Sequence, residues 1–376
     1  MILTEEQELI RDMARAFAQK ELWPNADQWD RDSFVPVDKL REMGELGLMG
    51  VTAPEDWGGA GADTVSFALA MIEISAGDGG CGTVASVMGL MCNALLKFGT
   101  DAQREKYLRP LASGKTLGAF ALTEPQAGSD AANLKVRAER RGDTFVLNGT
   151  KQFISAGSIA DFALVFAVSD PDAGKKGISA FLVDTDQPGY RVATIEKKMG
   201  QHSSDTCQIA LEDLEVPAEN VLGALSEGYR IALANLEGGR IGIAAQSVGM
   251  ARSAFEVAVE YAKERTSFGK PIIEHQAVAF RLADMATQLE VATQIVLHAA
   301  ALRDADASCL KEASMAKLFA SEMAEKVCSG AIQTLGGYGY LRDFPIERIY
   351  RDARVCQIYE GTSDVQRLVI GRAIAA

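Results

Sequence analysis

The chain has 376 residues, of which 48% are hydrophobic, enough for roughly two or three folded domains with buried cores. Its formal net charge of −13 argues against a nucleic-acid-binding protein, because binding to phosphates needs a positive surface. The six cysteines form no CxxC pair, and the three histidines form no HxH or HExxH motif. We therefore predict neither a metal site nor a dithiol redox motif.

The first third of the chain has a helical pattern. Thr4 and Gln7 have the spacing of a capping box, which predicts a helix starting after Thr4 and not a leader peptide. Apolar residues then recur at helical spacing to about Leu117, with Gly/Pro-rich turns expected at 54–61 and 77–82. We predict an N-terminal α-helical domain over residues 1–117.

No run in the sequence reaches the roughly 20 uninterrupted apolar residues of a membrane-spanning helix. We therefore expect a protein that does not enter a membrane and lies in the cytoplasm of a bacterium. A mature protein of the mitochondrial matrix, stripped of its leader, would have the same pattern.

The texture of the sequence changes twice more. Short β-rich runs at 120–123, 144–148, 162–168 and 178–183, with alternating apolar residues from Cys207 to Leu211, predict a middle β-barrel or β-sandwich domain over residues 118–223. Long helical patterns at 231–263, 276–303 and 308–335 predict a C-terminal four-helix bundle over residues 224–376. The expected fold class is multidomain α+β, with helices long enough to pack against another subunit as well.

Three segments combine polar atoms, glycines and turn residues. Residues 120–130 (FALTEPQAGSD) run into a turn whose N–H groups and hydroxyls suit a pyrophosphate or the polar edge of a flavin, although an ordinary strand-turn has the same residues. Residues 148–157 (NGTKQFISAG) predict a tight Asn-Gly turn before an aromatic residue that could flank a flavin ring or simply fill a core. Residues 358–364 (IYEGTSD) place Glu360 before a helix cap, either in a cleft or in solvent.

These three segments, in this order and at these separations, resemble the acyl-CoA dehydrogenase family, most closely its short-chain and short/branched-chain members. The resemblance extends over essentially the whole chain and includes residues 239–246, 264–269, 311–317, 333–337 and 350–353. It implies an N-terminal helical domain, a middle β-domain and a C-terminal bundle. It also implies a homotetramer, a dimer of dimers, in which FAD lies between the last two domains and a neighbouring subunit completes its site.

The resemblance also assigns roles to residues. Glu360 matches the base that removes the α-proton of an acyl-CoA thioester, while the β-hydride passes to flavin N5 and a trans-2-enoyl-CoA forms. Some branches of the family carry their base immediately before the residue matched by Arg240, but that residue here is Gly239, which cannot act. The FAD of the same subunit would contact Phe120, Leu122, Thr123, Gly128, Ser129, Phe153, Ser155, Thr362 and Asp364. The partner's FAD would contact Arg265, Phe268, Gln276, Gln333 and Gly337, and the acyl-CoA would contact Ser129, Glu237, Arg240, Tyr359 and Gly361.

An electron transfer flavoprotein is the electron acceptor that the resemblance implies. Two alternatives remain open: a relative with flavin oxidase or nitroalkane-type chemistry, and a non-catalytic relative associated with nucleic acid, which the negative charge disfavours. The sequence departs from the family pattern at Gln126, Ser155-Ala156 and His202. These departures affect the expected substrate, of short or branched acyl chain, more than the reaction type.

Overall fold

The computed structural model describes residues 1–375, and its first helix begins where the capping box predicts. The Gln7 N–H donates to Thr4 Oγ1 over 3.2 Å, and the Thr4 N–H donates to Gln7 Oε1 over 3.0 Å. This helix, α1, leads through a π-helical turn, Ala18–Leu22, into α2. The helices of this first part of the chain are α1 (Glu5–Phe17), α2 (Trp23–Asp32), α3 (Val37–Glu45), α4 (Thr64–Gly77), α5 (Gly79–Phe98), α6 (Asp101–Gln103) and α7 (Arg109–Ala112).

The expected turn at 77–82 is wrong, because α4 and α5 are separated by Asp78 alone. Asp78 caps α5 by accepting a hydrogen bond from the Cys81 N–H over 2.7 Å. The glycines that follow lie inside α5 and allow close packing. A Cβ built on Gly80 would lie 2.9 Å from the Ser204 backbone nitrogen, and one on Gly82 would lie 3.1 Å from the Ser75 Cβ.

Within residues 1–375, α5 is the one helix that is long and apolar enough, by length and composition, to cross a membrane. Of its apolar window, 78% is buried inside the chain, in the core that α5 shares with α4.

The middle of the chain folds into a seven-stranded sheet. Its strand order is β1-β4-β2-β3-β7-β6, with β5 paired to β4. Every residue of β4 is buried, as its continuous apolar run predicts. The strands are β1 (Gly118–Ala121), β2 (Arg137–Arg141), β3 (Thr144–Ser155), β4 (Phe162–Val168), β5 (Ile178–Asp184), β6 (Tyr190–Ile195) and β7 (Thr206–Pro217).

The expected tight turn at Asn148-Gly149 is also wrong, because β3 continues through it with a bulge between Leu147 and Gly149. The Asn148 side chain forms two hydrogen bonds across the sheet. It donates to Asp213 Oδ1 over 3.0 Å and accepts from the Asp213 N–H over 2.8 Å. Gly149 has a φ of 140°, which glycine adopts without strain. The dipeptide therefore bends a long strand and does not end it.

The last part of the chain is a bundle of three long helices and two shorter ones, with a short hairpin. The hairpin β8–β9 has Phe268 at its turn, and the helices pack chiefly on α8 and α10. The elements are α8 (Gly228–Glu264), β8 (Thr266–Ser267), β9 (Lys270–Pro271), α9 (Gln276–Asp304), α10 (Leu310–Leu335), α11 (Ile346–Arg354) and α12 (Ser363–Ala375). The expected three-part α+β architecture is confirmed.

The bundle is joined to the first helices by a cap that crosses between domains. Asp304, the last residue of α9, accepts hydrogen bonds from the N–H groups of Thr64 and Val65 over 2.7 and 3.1 Å. A carboxylate at the start of a helix satisfies unpaired N–H groups and favours the helix dipole. The cap therefore fixes α4 against the end of α9.

Candidate active site

Glu360 lies in a sharp bend between a short 3-10 helix, Val355–Gln357, and α12. Its φ is 53° and that of Gly361 is 88°, so two successive residues are in the left-handed region. Lys317 Nζ donates to the Gly361 carbonyl over 2.7 Å. The Gln366 side-chain amide donates to the carbonyls of Glu360 and Gly361 over 3.0 and 2.9 Å. Lys317 and Gln366 thereby fix both carbonyls of the bend.

The Glu360 carboxyl group lies between α8 and α5. A Cβ built on Gly239 would lie 2.5 Å from Glu360 Oε2 and 3.2 Å from Leu90 Cδ2. Oε2 is buried and has no hydrogen-bond partner in residues 1–375. Burial raises the pKa of Glu360 to about 7, although the charges of Arg240 and Lys317 act in the opposite direction. This carboxyl group can take up a proton near neutral pH.

Unpaired buried polar atoms concentrate around Glu360. Arg240 is 7% exposed, and burial lowers the pKa of its guanidinium group against the charges of Glu360 and Glu237. Buried polar atoms are nearly always paired in folded proteins, so a cluster of unpaired ones indicates a site where a ligand supplies the partners. The described chain has eleven such side-chain atoms, and five lie here: Arg240 Nε and Nη1, Glu360 Oε2, Ser363 Oγ and Gln366 Oε1.

Behind Glu360, the Tyr359 hydroxyl contacts one side chain from each domain. It donates to Gln246 Oε1 of α8 over 2.6 Å and accepts from Gln201 Nε2 of the middle domain over 3.3 Å. Thr83 Oγ1 of α5 lies 3.4 Å away. Gln201 also donates its backbone N–H to Asp352, a carboxyl group whose pKa burial raises to about 7. Gln201 and Asp352 were not expected at the site, because these contacts join residues more than a hundred positions apart.

The residues expected at the flavin lie on the middle domain around β1 and β3. Phe153 is 63% exposed with a φ of 57°, because the second bulge of β3, between Lys151 and Ile154, turns its side chain outward. Phe120 and Ser155 are half-buried, and a Cβ on Gly128 would meet no atom within 4 Å. Leu122 is buried, Thr123 is half-buried, and Ser129 is exposed.

A buried ion pair supports this face from behind. Lys151 Nζ donates to Glu124 Oε1 over 2.8 Å and to the Leu122 carbonyl over 2.9 Å. Glu124 also accepts a hydrogen bond from Gln126 Nε2 over 2.7 Å. This hydrogen bond gives Gln126, one of the departures from the family pattern, a structural role, because its amide is a further donor to the buried Glu124 carboxylate.

The residues expected at the partner's FAD do not line the Glu360 site. Arg265 and Gly337 line a separate cavity of about 560 Å³, together with Tyr261, Thr334 and Tyr338. Phe268 is 97% exposed on its hairpin, and Gln276 and Gln333 are exposed at the start of α9 and near the end of α10. The set forms an outward-facing surface of the bundle.

Three expected residues remain. Thr362 and Asp364 follow Glu360 in the sequence, and Glu237, like Glu360, acts on Arg240 through its charge. Thr362 Oγ1 accepts from the Val365 N–H over 3.3 Å and so caps α12, while Asp364 is exposed. Glu237 is half-buried and accepts from Cys309 Sγ over 3.0 Å.

The two other departures from the expected pattern lie in the middle domain. His202 bridges two parts of the chain, with Nδ1 2.8 Å from Asp30 Oδ1 and Nε2 2.9 Å from the Lys198 carbonyl. Ala156, which follows Ser155, is buried with a φ of 59°.

Within residues 1–375 no group of three or more His, Cys, Asp or Glu side chains could hold a metal ion. The six cysteines are buried and free.

Three family models match consecutive parts of the chain. They describe the acyl-CoA dehydrogenase N-terminal domain at residues 4–115, the middle domain at 119–214 and the C-terminal domain at 226–375. An acyl-CoA dehydrogenase of Bacillus subtilis (strain 168) is 48% identical over 373 residues, 99% of this chain and 98% of that protein. A caffeyl-CoA reductase–Etf complex subunit of Acetobacterium woodii is 44% identical over 372 residues, 98% of each chain.

Among solved structures, butyryl-CoA dehydrogenase of Megasphaera elsdenii superposes with a TM-score of 0.98 at 41% identity, covering 100% of both chains. The chain therefore belongs to the acyl-CoA dehydrogenase family of flavin-dependent oxidoreductases, and its cofactor is FAD. The residues present fit this group: an exposed aromatic side chain at Phe153, an open turn at Gly128 and an unpaired buried hydroxyl at Ser363 suit a flat ring with a polar chain.

Proposed function

We propose that Glu360 removes the α-proton of an acyl-CoA thioester while the β-hydride passes to FAD, giving a trans-2-enoyl-CoA. The observation that carries this proposal is the carboxyl group of the half-buried Glu360, whose Oε2 is buried and unpaired beside Gly239 and whose pKa is raised to about 7. A general base works best when its pKa lies near the working pH. FAD, when bound, supplies the hydride acceptor.

The backbone at Glu360 can also help to stabilise the thioester. An α-proton becomes removable when donors stabilise the charge that develops on the thioester oxygen. The Glu360 N–H has no acceptor among the described residues, so it is free to donate to that oxygen. Arg240, buried with two unpaired nitrogens, is proposed with Ser129, Glu237, Tyr359 and Gly361 to position the substrate.

The FAD site is proposed to have two parts. Within one subunit the contacts come from Phe120, Leu122, Thr123, Gly128, Ser129, Phe153, Ser155, Thr362 and Asp364. The cavity and hairpin at Arg265, Phe268, Gln276, Gln333 and Gly337 are proposed to receive the FAD of a neighbouring subunit, where an arginine can pair with pyrophosphate. This arrangement needs at least a dimer, and we propose that two such dimers form a homotetramer.

A short or branched acyl chain is the proposed substrate class. The similar structure from Megasphaera elsdenii is a butyryl-CoA dehydrogenase, and this likeness supports a short chain. An electron transfer flavoprotein is the proposed acceptor, since one relative is named as a subunit of an Etf complex. The proposed location is the bacterial cytoplasm, in line with bacterial relatives.

Anaerobic mixing of the FAD-bound protein with butyryl-, isobutyryl- and 2-methylbutyryl-CoA tests the activity. We expect at least one thioester to bleach the flavin. Glu360→Gln should retain FAD and fold but slow bleaching by about 100- to 10,000-fold, the usual contribution of a general base. Glu290→Gln, an equal change at an exposed position of α9, should bleach like the wild type.

Two results would contradict the proposal. Unchanged bleaching in Glu360→Gln would mean that another group is the base. Rapid turnover with oxygen as the only acceptor would indicate an oxidase.

The reverse reaction, reduction of an enoyl-CoA, is a second candidate because one relative is named as a caffeyl-CoA reductase subunit. A protonated Glu360, populated below pH about 7, could return a proton to the α-carbon. Mixing an enoyl-CoA with the chemically reduced protein tests this direction. Faster reoxidation by enoyl-CoA than reduction by the saturated thioester would favour the reductase.

A further inference from the structure

We propose that Lys317 and Gln366 are positioning residues for the base: they clamp the Glu360–Gly361 bend, and Lys317 also supplies positive charge that favours the ionised carboxylate. This inference rests on the proposed role of Glu360 as the base. Neither residue was expected at the site from the sequence.

The clamp is defined by three short hydrogen bonds. Lys317 holds the Gly361 carbonyl over 2.7 Å, and Gln366 holds the carbonyls of Glu360 and Gly361 over 3.0 and 2.9 Å. The donors come from two helices, α10 and α12, so the bend is fixed from two sides. A non-glycine residue at a φ of 53° persists only where its surroundings determine it, and the clamp provides those surroundings.

Burial makes a purely space-filling role for Lys317 a poor explanation. Both Lys317 and Gln366 are 0% exposed. Burying an ammonium group costs free energy that an apolar side chain of the same length avoids, and here burial lowers the pKa of Lys317 to about 8. The burial of a charged side chain is therefore better explained by the effect of its charge on a neighbouring group.

The neighbour on which the charge of Lys317 acts is Glu360. Arg240 faces it from α8 and Lys317 from α10, whereas α5 presents the apolar Leu90. Lys317 itself is also influenced by Cys356 and Glu322. Removing the charge of Lys317 removes a force that favours the ionised carboxylate, so the pKa of Glu360 should rise further above its ordinary value.

The test compares Lys317→Met and Gln366→Leu in the FAD-bound protein, using the second-order rate constant of flavin reduction by butyryl-CoA as a function of pH. This constant reports the pKa of the base in the free enzyme. Both variants should be slowed about ten- to a hundredfold, because each loses hydrogen bonds to the bend. Only Lys317→Met should also move the acid limb to higher pH, because it alone removes a positive charge that favours the ionised carboxylate.

Controls separate the clamp from general damage. Lys326→Met, the same change at an exposed position of α10, should leave rate and pH midpoint unchanged, and Lys317→Arg should restore the midpoint. If Lys317→Met fails to retain FAD, Lys317→Arg and Gln366→Leu still decide the question through rate and midpoint. A wild-type midpoint in Lys317→Met, or a wild-type rate in Gln366→Leu, would overturn the clamp. Unchanged reduction in Glu360→Gln would instead overturn the proposed base.

Discussion

At the scale of single residues, Gly239 leaves the space that the Glu360 carboxyl group occupies. The position has no side chain, and any added carbon would meet Glu360 Oε2 at 2.5 Å and the carboxyl carbon at 3.0 Å. Such distances are too short for non-bonded atoms, so one of the two groups must move. The end of a flexible side chain moves more easily than a buried helix.

We therefore expect Gly239→Ala to fold and bind FAD but to slow flavin reduction about tenfold or more, because a base displaced by about 1 Å loses its alignment. The measurement is anaerobic flavin bleaching by butyryl-CoA together with a thermal unfolding curve. Gly371→Ala is the matched control, since a Cβ on that helical glycine of α12 meets no atom within 4 Å. A Gly239→Ala protein as fast as wild type would show that the carboxyl group reacts from another position.

The local pattern at Glu360, a glutamate, a glycine and a helix cap within three residues, left this residue either in a cleft or in solvent, and only the resemblance to a family assigned it the role of base. Lys317 was not predicted at the site, because it approaches Gly361 from 44 residues away and looks like any lysine on a helix. Gln201 and Asp352 are further apart still. Contacts of this kind depend on how domains pack, which no short pattern records.

At the scale of elements, the ion pair of Glu124 and Lys151 joins the turn after β1 to the middle of β3. Lys151 is 0% exposed and Glu124 is 2% exposed. Burial lowers the pKa of Lys151 to about 8, and the charge of Lys151 helps to lower that of Glu124 despite burial. The pair fixes the segment after β1 that carries Thr123, one of the residues proposed to contact FAD.

Lys151→Met should destabilise the protein by about 3–5 kcal/mol, because it leaves the Glu124 carboxylate buried without its partner. Glu124→Gln combined with Lys151→Met should recover part of the loss, since no charge then remains buried. Thermal unfolding and FAD content of the single and double variants measure this coupling. Lys135→Met, at an exposed position nearby, is the control, and an equal loss in the single and double variants would contradict the argument.

Elements were predictable where one physical signal dominated. The range 162–168 was predicted to the residue because β4 is apolar without interruption. Two predicted turns that rested on glycines were wrong, at 79–82 inside α5 and at Gly149 inside β3. Glycine also occurs where helices pack closely and in β-bulges, so it does not by itself indicate a turn.

At the scale of the whole molecule, the C-terminal bundle exposes large apolar side chains to solvent. Phe268 is 97% exposed, Tyr340 85% and Phe280 64%. Exposed aromatic groups of this size near a cavity are typical of surfaces that bind another chain or a ligand, which supports the proposed association of subunits. The surface adjoins the cavity at Arg265, proposed to hold the partner's FAD.

Phe268→Ser should lower FAD retention and shift the protein from the proposed tetramer towards smaller species, while the isolated subunit keeps its fold. Light scattering after gel filtration and the ratio of flavin to protein absorbance measure both effects. Phe34→Ser removes another exposed ring, 54% exposed and just beyond the end of α2, and should change neither. A Phe268→Ser protein with normal mass and normal flavin content would exclude this hairpin from the interface.

The Tyr359 hydroxyl, bonded to Gln246 and Gln201 and close to Thr83, has a consequence for when the protein becomes active. Its neighbour Glu360 therefore adjoins a point where side chains from all three parts of the chain meet at one oxygen. A chain with any one part undocked would still carry every sequence motif and yet lack one of these contacts. The proposed role of Glu360 as the base thus depends on assembly of the whole subunit as well as on the bend that carries it.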